Sequence, residues 1–273
     1  MAEILLFRLY APLASFGTVA VGEQRPSQTH PGKSLIVGLL GAALGIRRDE
    51  EARLAGLSSA YGLAVLQLRP GQLLRDYHTA QVPSQTDLKK APHFTRRDEL
   101  RAAPRSELNT ILSARDYRSE ALHVIAVWRR ADSTETPTLP ELATALERPR
   151  FTLYVGRKSC PLAFPLAPQI VDAPDLLSAF KVELTDFSSR WQIVSSGPGF
   201  DRRLLPQRLG IGRLLGTDPA WLFWEDGDAA DPPSGLETLQ THTRNDASLS
   251  RKRWQFGPRL EQMAAWPKAE LSA

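Results

Sequence analysis

The sequence predicts an α+β protein of the ferredoxin-like or RNA-recognition type, with a projecting polar insertion and a smaller β-rich lobe at its C-terminal end. Three observations lead there. Apolar patterns follow one another in the order strand, helix, strand, strand, helix, strand. A long charged stretch separates the second strand from the third. From Pro161 onward the pattern is broken by prolines, and Trp191, Trp221 and Trp224 then return.

Glu3–Tyr10 is too continuously apolar for a half-exposed edge and reads as a central strand, buried on both faces. Residues 11–32 carry Pro12, Pro26, Pro31, Gly17, Gly22 and Gly32, a long loop of the kind that is usually functional. Lys33–Ile46 reads as an apolar helix. Its small residues Gly38, Gly41, Ala42 and Ala43 require a backbone packed close by, and Gly45 suits the C-terminal cap. Tyr61–Leu68 and Leu122–Arg129 are the next strands. Leu74–Arg118 between them holds nine bases and six acids with little apolar periodicity, so it should project rather than pack. Leu139–Leu146 is a short amphipathic helix, and Phe151–Val155 the fourth strand. Pro161, Pro165, Pro168 and Pro174 then mark a linker or irregular crossing. The expected division is a body over 1–168, with the insertion at about 80–116, and a lobe over 169–273.

The lone Cys160 excludes an internal disulfide and a cysteine-rich zinc site, and the five histidines show no metal spacing, so no metal or cofactor is expected. Glu3 and Arg8 interrupt any signal-peptide core, and no apolar run reaches the ~18 residues of a membrane span. A soluble, cytoplasmic protein with no membrane contact is expected. The net charge is +4 with a pI of about 9.4, and the charge is segregated. Acids dominate Asp218–Glu237, whereas Arg244, Arg251, Lys252, Arg253 and Arg259 crowd the next stretch. That distribution suits a polyanion on one face, or a plain solvated surface.

Pro31-Gly32-Lys33-Ser34 lacks the earlier glycine of a phosphate loop, since position 27 is Ser27, so an NTPase is excluded. Lys33 and Ser34 still open a helix, whose N-terminus favours an anion, and Arg25 and Thr29 lie in the approach loop. The alternative is a simple cap with a solvated lysine. In Arg75-Asp76-Tyr77-His78-Thr79, strand alternation puts Tyr77 and His78 on opposite faces, which favours RNA stacking or hydrogen bonding over acid–base cleavage. Gly156-Arg157-Lys158-Ser159 could wrap backbone phosphates or form a solvated turn. Arg251, Arg253, Trp254 and Phe256 interleave cations with aromatics, as single-stranded RNA sites do, or as a strand with a core face does.

Together these segments carry a family resemblance. Arg8-Leu9 with Pro12, Ser15-Phe16-Gly17, Arg25-Pro26, Pro31 to Ser34, Gly38 to Ile46 with Arg48 and Asp49, Leu74 to Thr79, and Pro149 to Leu162 resemble the CasD family of RAMP proteins of type I-E CRISPR Cascade. Arg244-Asn245-Asp246 extends the match weakly. Phe16 replaces a usual Trp, and Gly32 replaces a usual Thr. The resemblance implies a RAMP-type modified ferredoxin-like body whose insertion is a thumb. It implies a non-catalytic subunit that caps the 5′ handle of the crRNA, beside the large subunit and the backbone subunit, with target DNA engaged indirectly in antiviral defence. A related subtype uses the corresponding protein as a metal-independent endoribonuclease, which is the alternative here. The RNA-binding candidates are Arg25, Lys33, Ser34, Arg47, Arg48, Tyr77, His78, Arg157, Lys158, Ser159, Arg251 and Arg253. Lys89, Lys90, Arg96, Arg97, Arg101 and Arg105 are the thumb cations.

Overall fold

The computed structural model describes residues 1–89, 92–130, 135–195, 219–225, 231–250, 253 and 255–267. It is a mixed α+β fold on one large, mainly antiparallel sheet. β1 (Ala2–Ala14) is buried along most of its length, as its continuous apolar run requires. Alternate residues feed two cores. Leu5, Phe7 and Leu9 pack under α1 (Lys33–Leu44), α2 (Glu51–Ala60) and α5 (Leu139–Glu147), and Ile4, Leu6 and Tyr10 face α6 (Leu176–Ser195).

The strands β3 (Tyr61–Arg69), β5 (Asn109–Arg129) and β6 (Gln169–Ala173) join β1 in the order β6-β1-β5-β3. Close packing of the first helix pair follows from its small residues: a Cβ on Gly41 would sit 2.8 Å from Leu54 Cδ2 of α2. Gly45 ends α1 at φ +77°, and its N–H turns back to the carbonyls of Gly41 and Ala42. A capping box, Thr138 with Glu141, opens α5.

Three expectations need correction. Phe151–Val155 is not a strand but contributes a single bridge, Tyr154 with Pro161, because Gly156 at φ +84° turns the chain at once. The fourth strand of the body is β6, inside the stretch read as a linker, and it pairs antiparallel with β1 from Ala2↔Ala173 to Leu6↔Gln169. The described residues after 168 do not form a separate β lobe either. β7 (Trp221–Glu225) pairs with β3, β9 (Gln255–Ala265) with β7, and β8 (Gln240–Ser250) with β9, so they extend the same sheet.

The polar insertion starts as a β ribbon. β4 (Gln72–Val82) pairs with the first half of β5 from Gln72↔Ser119 to Val82↔Asn109. Short helices α3 (Gln85–Leu88) and α4 (Arg96–Leu100) lie between the two strands, at the far end. The base of this arm is more buried than its composition suggests, since Ala114, Asp116 and Tyr117 are all covered. The short β2 (Gln24–Arg25) covers that edge, running parallel to β5 at Ala114–Arg115.

His123, on β5, is fully buried, and its Nε2–H donates to the Thr29 carbonyl at 3.0 Å. Burial, together with the nearby His30, pushes its pKa down to about 3. The unfolded chain therefore binds a proton below pH ~6.5 that the folded chain refuses until about pH 3. Stability should fall on acidification across that window by roughly 1.4 kcal/mol per pH unit from this residue. Denaturant titrations between pH 7 and 4.5 should show the slope, and His123→Gln, which keeps a donor for Thr29, should flatten it. An unchanged slope in that variant would place the proton uptake elsewhere.

Candidate nucleic-acid interface

Cations and an aromatic ring meet at the base of the arm, where β2, β5 and the 156–160 loop come together. That loop is held rigidly. Val155 N–H donates to Cys160 O at 2.8 Å, Cys160 N–H to Arg157 O at 2.9 Å, and Ser15 N–H to Val155 O at 3.1 Å. A Cβ on Gly156 would fall 1.8 Å from Ser15 O, so only glycine fits there. The turn presents Lys158 and Ser159 to solvent and sends Arg157 across the arm. Arg157 donates to Asp116 O and Arg25 O, both at 3.2 Å, and its guanidinium lies 4.5 Å from the Tyr117 ring centroid, a cation–π contact.

Arg25 is exposed and donates to Gly22 O at 2.6 Å and Gln24 O at 2.9 Å, which curls its own loop around it. Arg118 ties the same loop to β5 through Gln28 O at 3.0 Å and Ser27 O at 3.4 Å. Arg75 forms a two-pronged pair with Asp116 at 2.7 and 3.0 Å. That bond chiefly holds the Asp116 carboxyl below its ordinary range. The result is a cationic shelf with a fixed backbone, suited to phosphate groups.

Tyr77 and His78 stand on β4 with unbroken register, opposite Ala114 and Ser113, so they occupy opposite faces. Tyr77 is 65% exposed, an open stacking surface. His78 shares its face with Asp76, whose carboxylate lies 2.9 Å from its Nδ1.

The start of α1 differs from the phosphate site its sequence suggests. Lys33 is 7% exposed, and its ammonium meets Glu225 at 2.9 Å. The Lys33 N–H donates to Asp246 Oδ2 at 2.9 Å, so a carboxylate of the chain itself occupies the helix N-terminus. Gly32 permits this approach, since a Cβ there would lie 2.4 Å from that oxygen. Around it Arg130 pairs with Glu225 at 2.7 Å, Arg259 with Asp246 at 2.8 Å and with Glu261 at 2.9 Å, and His30 with Glu261 at 2.9 Å. Arg244 completes the cluster by bonding His30 and Glu261. Burial alone would raise the Asp246 pKa, yet the Arg259 guanidinium keeps it low, and burial lowers that of Lys33. This is a buried ionic joint between α1 and the β7–β9–β8 strands. Lys33 faces into it, and Ser34 beside it is half-buried.

Arg47 and Arg48 lie past the other end of α1, about 18 Å along the helix from Lys33. Arg253, in the β8–β9 turn, belongs to that end too: its N–H donates to Ser250 Oγ, which bonds Glu51 at 2.5 Å. Arg251 and Lys90 lie outside the described residues. Lys89, Arg96, Arg97, Arg101 and Arg105 are exposed around the arm tip, Arg96 pairing with Glu99 and the Gln81 carbonyl. Arg118 and Tyr117 are site residues that the sequence does not single out. Their signal is the alternation of β5, which places Arg118 beside Asp116 on one face and Tyr117 on the other.

Among the described residues no helix is long and apolar enough to cross a membrane, and no cluster of three potential metal-ligating side chains occurs. A family model described as CRISPR-associated protein (Cas_Cas5) matches residues 4–260. The Escherichia coli (strain K12) protein "CRISPR system Cascade subunit CasD" is 34% identical over 166 residues, spanning 61% of this chain and 70% of that protein. A chain of a solved CRISPR RNA-guided surveillance complex superposes with a TM-score of 0.57 at 20% identity, over 96% of this chain and 90% of its own. A crystal structure of a Cas protein gives 0.53 at 22% identity, over 98% and 97%. With the family match running almost end to end, and its CasD relative following, the chain belongs to the Cas5 family of CRISPR-associated proteins.

Proposed function

We propose that this protein is a non-catalytic RNA-binding subunit of a CRISPR Cascade surveillance complex, holding the repeat-derived 5′ handle of the crRNA on the cationic shelf at the arm base. The observation that carries this reading is Arg157 lying over the Tyr117 ring and bonding the Arg25 carbonyl, with exposed Arg25 and Lys158 flanking it on backbone held by Gly156 and β2. The strand order β6-β1-β5-β3 supports it, because its fourth-first-third-second succession is that of a ferredoxin-like RAMP body, with β4 and the first half of β5 as the thumb. The large subunit and the backbone subunit are the proposed protein partners, and target DNA is met through them.

A second reading, a metal-independent endoribonuclease, draws on the Asp76–His78 pair, since a carboxylate on Nδ1 orients an imidazole for proton transfer. Tyr77 is on the wrong face to assist. One experiment separates the two. Purified protein is titrated with labelled repeat RNA in chelator at several salt concentrations, and the RNA is recovered afterwards. Arg25→Ala and Arg157→Ala should each weaken binding and flatten the log–log salt slope by about 0.7 for each phosphate no longer neutralised, while Lys33→Ala leaves the slope unchanged. The recovered RNA should be full length. Cleavage abolished by His78→Ala would establish the nuclease, and identical slopes in both arginine variants would move the site.

A further inference from the structure

The arm leaves the body at one bent rung of the sheet. β5 runs from body to arm without a break: Leu122 to Arg129 pair with β3, and Asn109 to Ser119 with β4. Between the two stretches Glu120 has φ +58°, a left-handed backbone that glutamate rarely adopts. One rung beyond Gln72↔Ser119, Gly71 comes opposite Glu120 and is left-handed too, at φ +73°. A Cβ on Gly71 would lie 2.7 Å from Ser119 O. Just ahead, the β3 pairing slips by one residue between Gln67↔His123 and Arg69↔Leu122, a bulge that adds to the bend. On the other side β1 holds its register from Ala11↔Ala121 to Leu13↔Ser119, and Pro12, opposite Glu120, has no N–H to lose there.

An unfavourable backbone conformation persists only where its surroundings over-determine it. Here the Tyr10 hydroxyl donates to Glu120 Oε2 at 2.6 Å. The Tyr10 ring is buried in the core under α6 and packs on Phe164, with 5.1 Å between ring centroids. Burial, and then the Glu120 carboxylate, raise the phenol pKa, so the donor keeps its proton. The shelf straddles this bend. Tyr117 and Arg118 follow on the arm side, where Arg118 bonds the Gln28 and Ser27 carbonyls and Arg157 reaches over from the body to Tyr117 and Asp116 O.

We propose that the Tyr10–Glu120 bond is a brace that fixes the angle between arm and body, which makes Tyr10 and Glu120 positioning residues for RNA held at the arm base. The positioning role rests on the RNA-binding reading above, whereas the brace itself does not.

The ribbon amplifies any change of angle. Thr79 lies opposite Leu112, about eight residues along β5 from Glu120, so a swing of roughly 10° carries it about 5 Å. Spin labels on Thr79→Cys in the arm and Glu147→Cys on α5, both exposed, report that angle by pulsed electron resonance, and the native Cys160 is buried. The parent should give one narrow distance. Tyr10→Phe keeps the ring and removes the donor, and should shift or broaden that distance by about 5 Å. Glu120→Gln keeps an acceptor and should preserve it. Repeat-RNA binding is measured on the same variants. An arm that holds the right direction about a fifth of the time binds about fivefold more weakly, so Tyr10→Phe should lose about that much. Its salt slope should not change, since no cation is removed. Glu120→Gln should bind like the parent. Glu120→Ala releases the brace from a half-buried position and should match Tyr10→Phe in both readings, which covers the case of a poorly folded Tyr10→Phe. Distances in the releasing variants that superimpose on the parent's would overturn the brace. Shifted distances with undiminished RNA affinity would overturn the positioning role. A parent that binds no repeat RNA would remove the RNA-binding reading, and the distances alone would then decide the brace.

Discussion

Asp246→Ala should cost the fold about 3–5 kcal/mol, the usual penalty for removing one member of a buried ion pair. The loss has three parts. Arg259 gives up both of its bonds to that carboxylate, at 2.8 and 2.9 Å, and is left with Glu261 at 2.9 Å and the more distant Glu225 to balance its buried charge. The first N–H of α1 loses its acceptor, and the helix N-terminus loses a favourable negative charge. For a chain of this size the melting temperature should fall by roughly 10 °C. The remaining folded protein should keep its RNA affinity, because the shelf residues touch none of this network. A thermal melt paired with an RNA titration checks both halves. Lost RNA affinity in a well-folded variant would return the start of α1 to the binding site.

Removing the arm tip should have the opposite profile. Among the described residues of 84–108 no side chain is buried, and the cations Arg97, Arg101 and Arg105 are exposed. Joining Val82 to Asn109 by a two-residue turn should leave the paired strands below it intact, since those two residues already face each other across the ribbon. Melting should stay within a few degrees of the parent. Co-purification with the other Cascade subunits and guide RNA should be lost, because a charged projection is spent on partners rather than on the core. The cut must spare Ala114, Asp116 and Tyr117, which belong to the base and not, as composition suggests, to the projection. A truncated protein that assembles normally would make the tip dispensable.

Particular residues show what was legible in the sequence. Glu3–Tyr10, Tyr61–Leu68 and Leu122–Arg129 announced themselves because a strand buried on both faces needs an unbroken apolar run. β6 did not, since Gln169 and Asp172 are polar and the segment sits among prolines. Phe151–Val155 has the β-branched and aromatic composition of a strand, but the turn at Gly156 leaves it no length in which to pair. At the candidate site, Arg157 stood out as a cation beside a conformationally free glycine, and Arg25 as a cation in the loop approaching a helix start. Lys33 stood out as the lysine at that helix start and was misplaced. A local pattern can identify a helix start that wants an anion. It cannot show that Asp246, more than two hundred residues further on, supplies one. The fold's tertiary pairing of charges decided which lysine faced solvent.

The most direct test of the account is photo-crosslinking of guide RNA within the assembled Cascade complex, with the attached peptides identified by mass spectrometry. RNA should be found on the peptides carrying Arg25, Tyr117, and Arg157 to Ser159, the segments that meet at the arm base. Crosslinks confined to the Arg47, Arg48 and Arg253 end of α1, with none at the arm base, would contradict it.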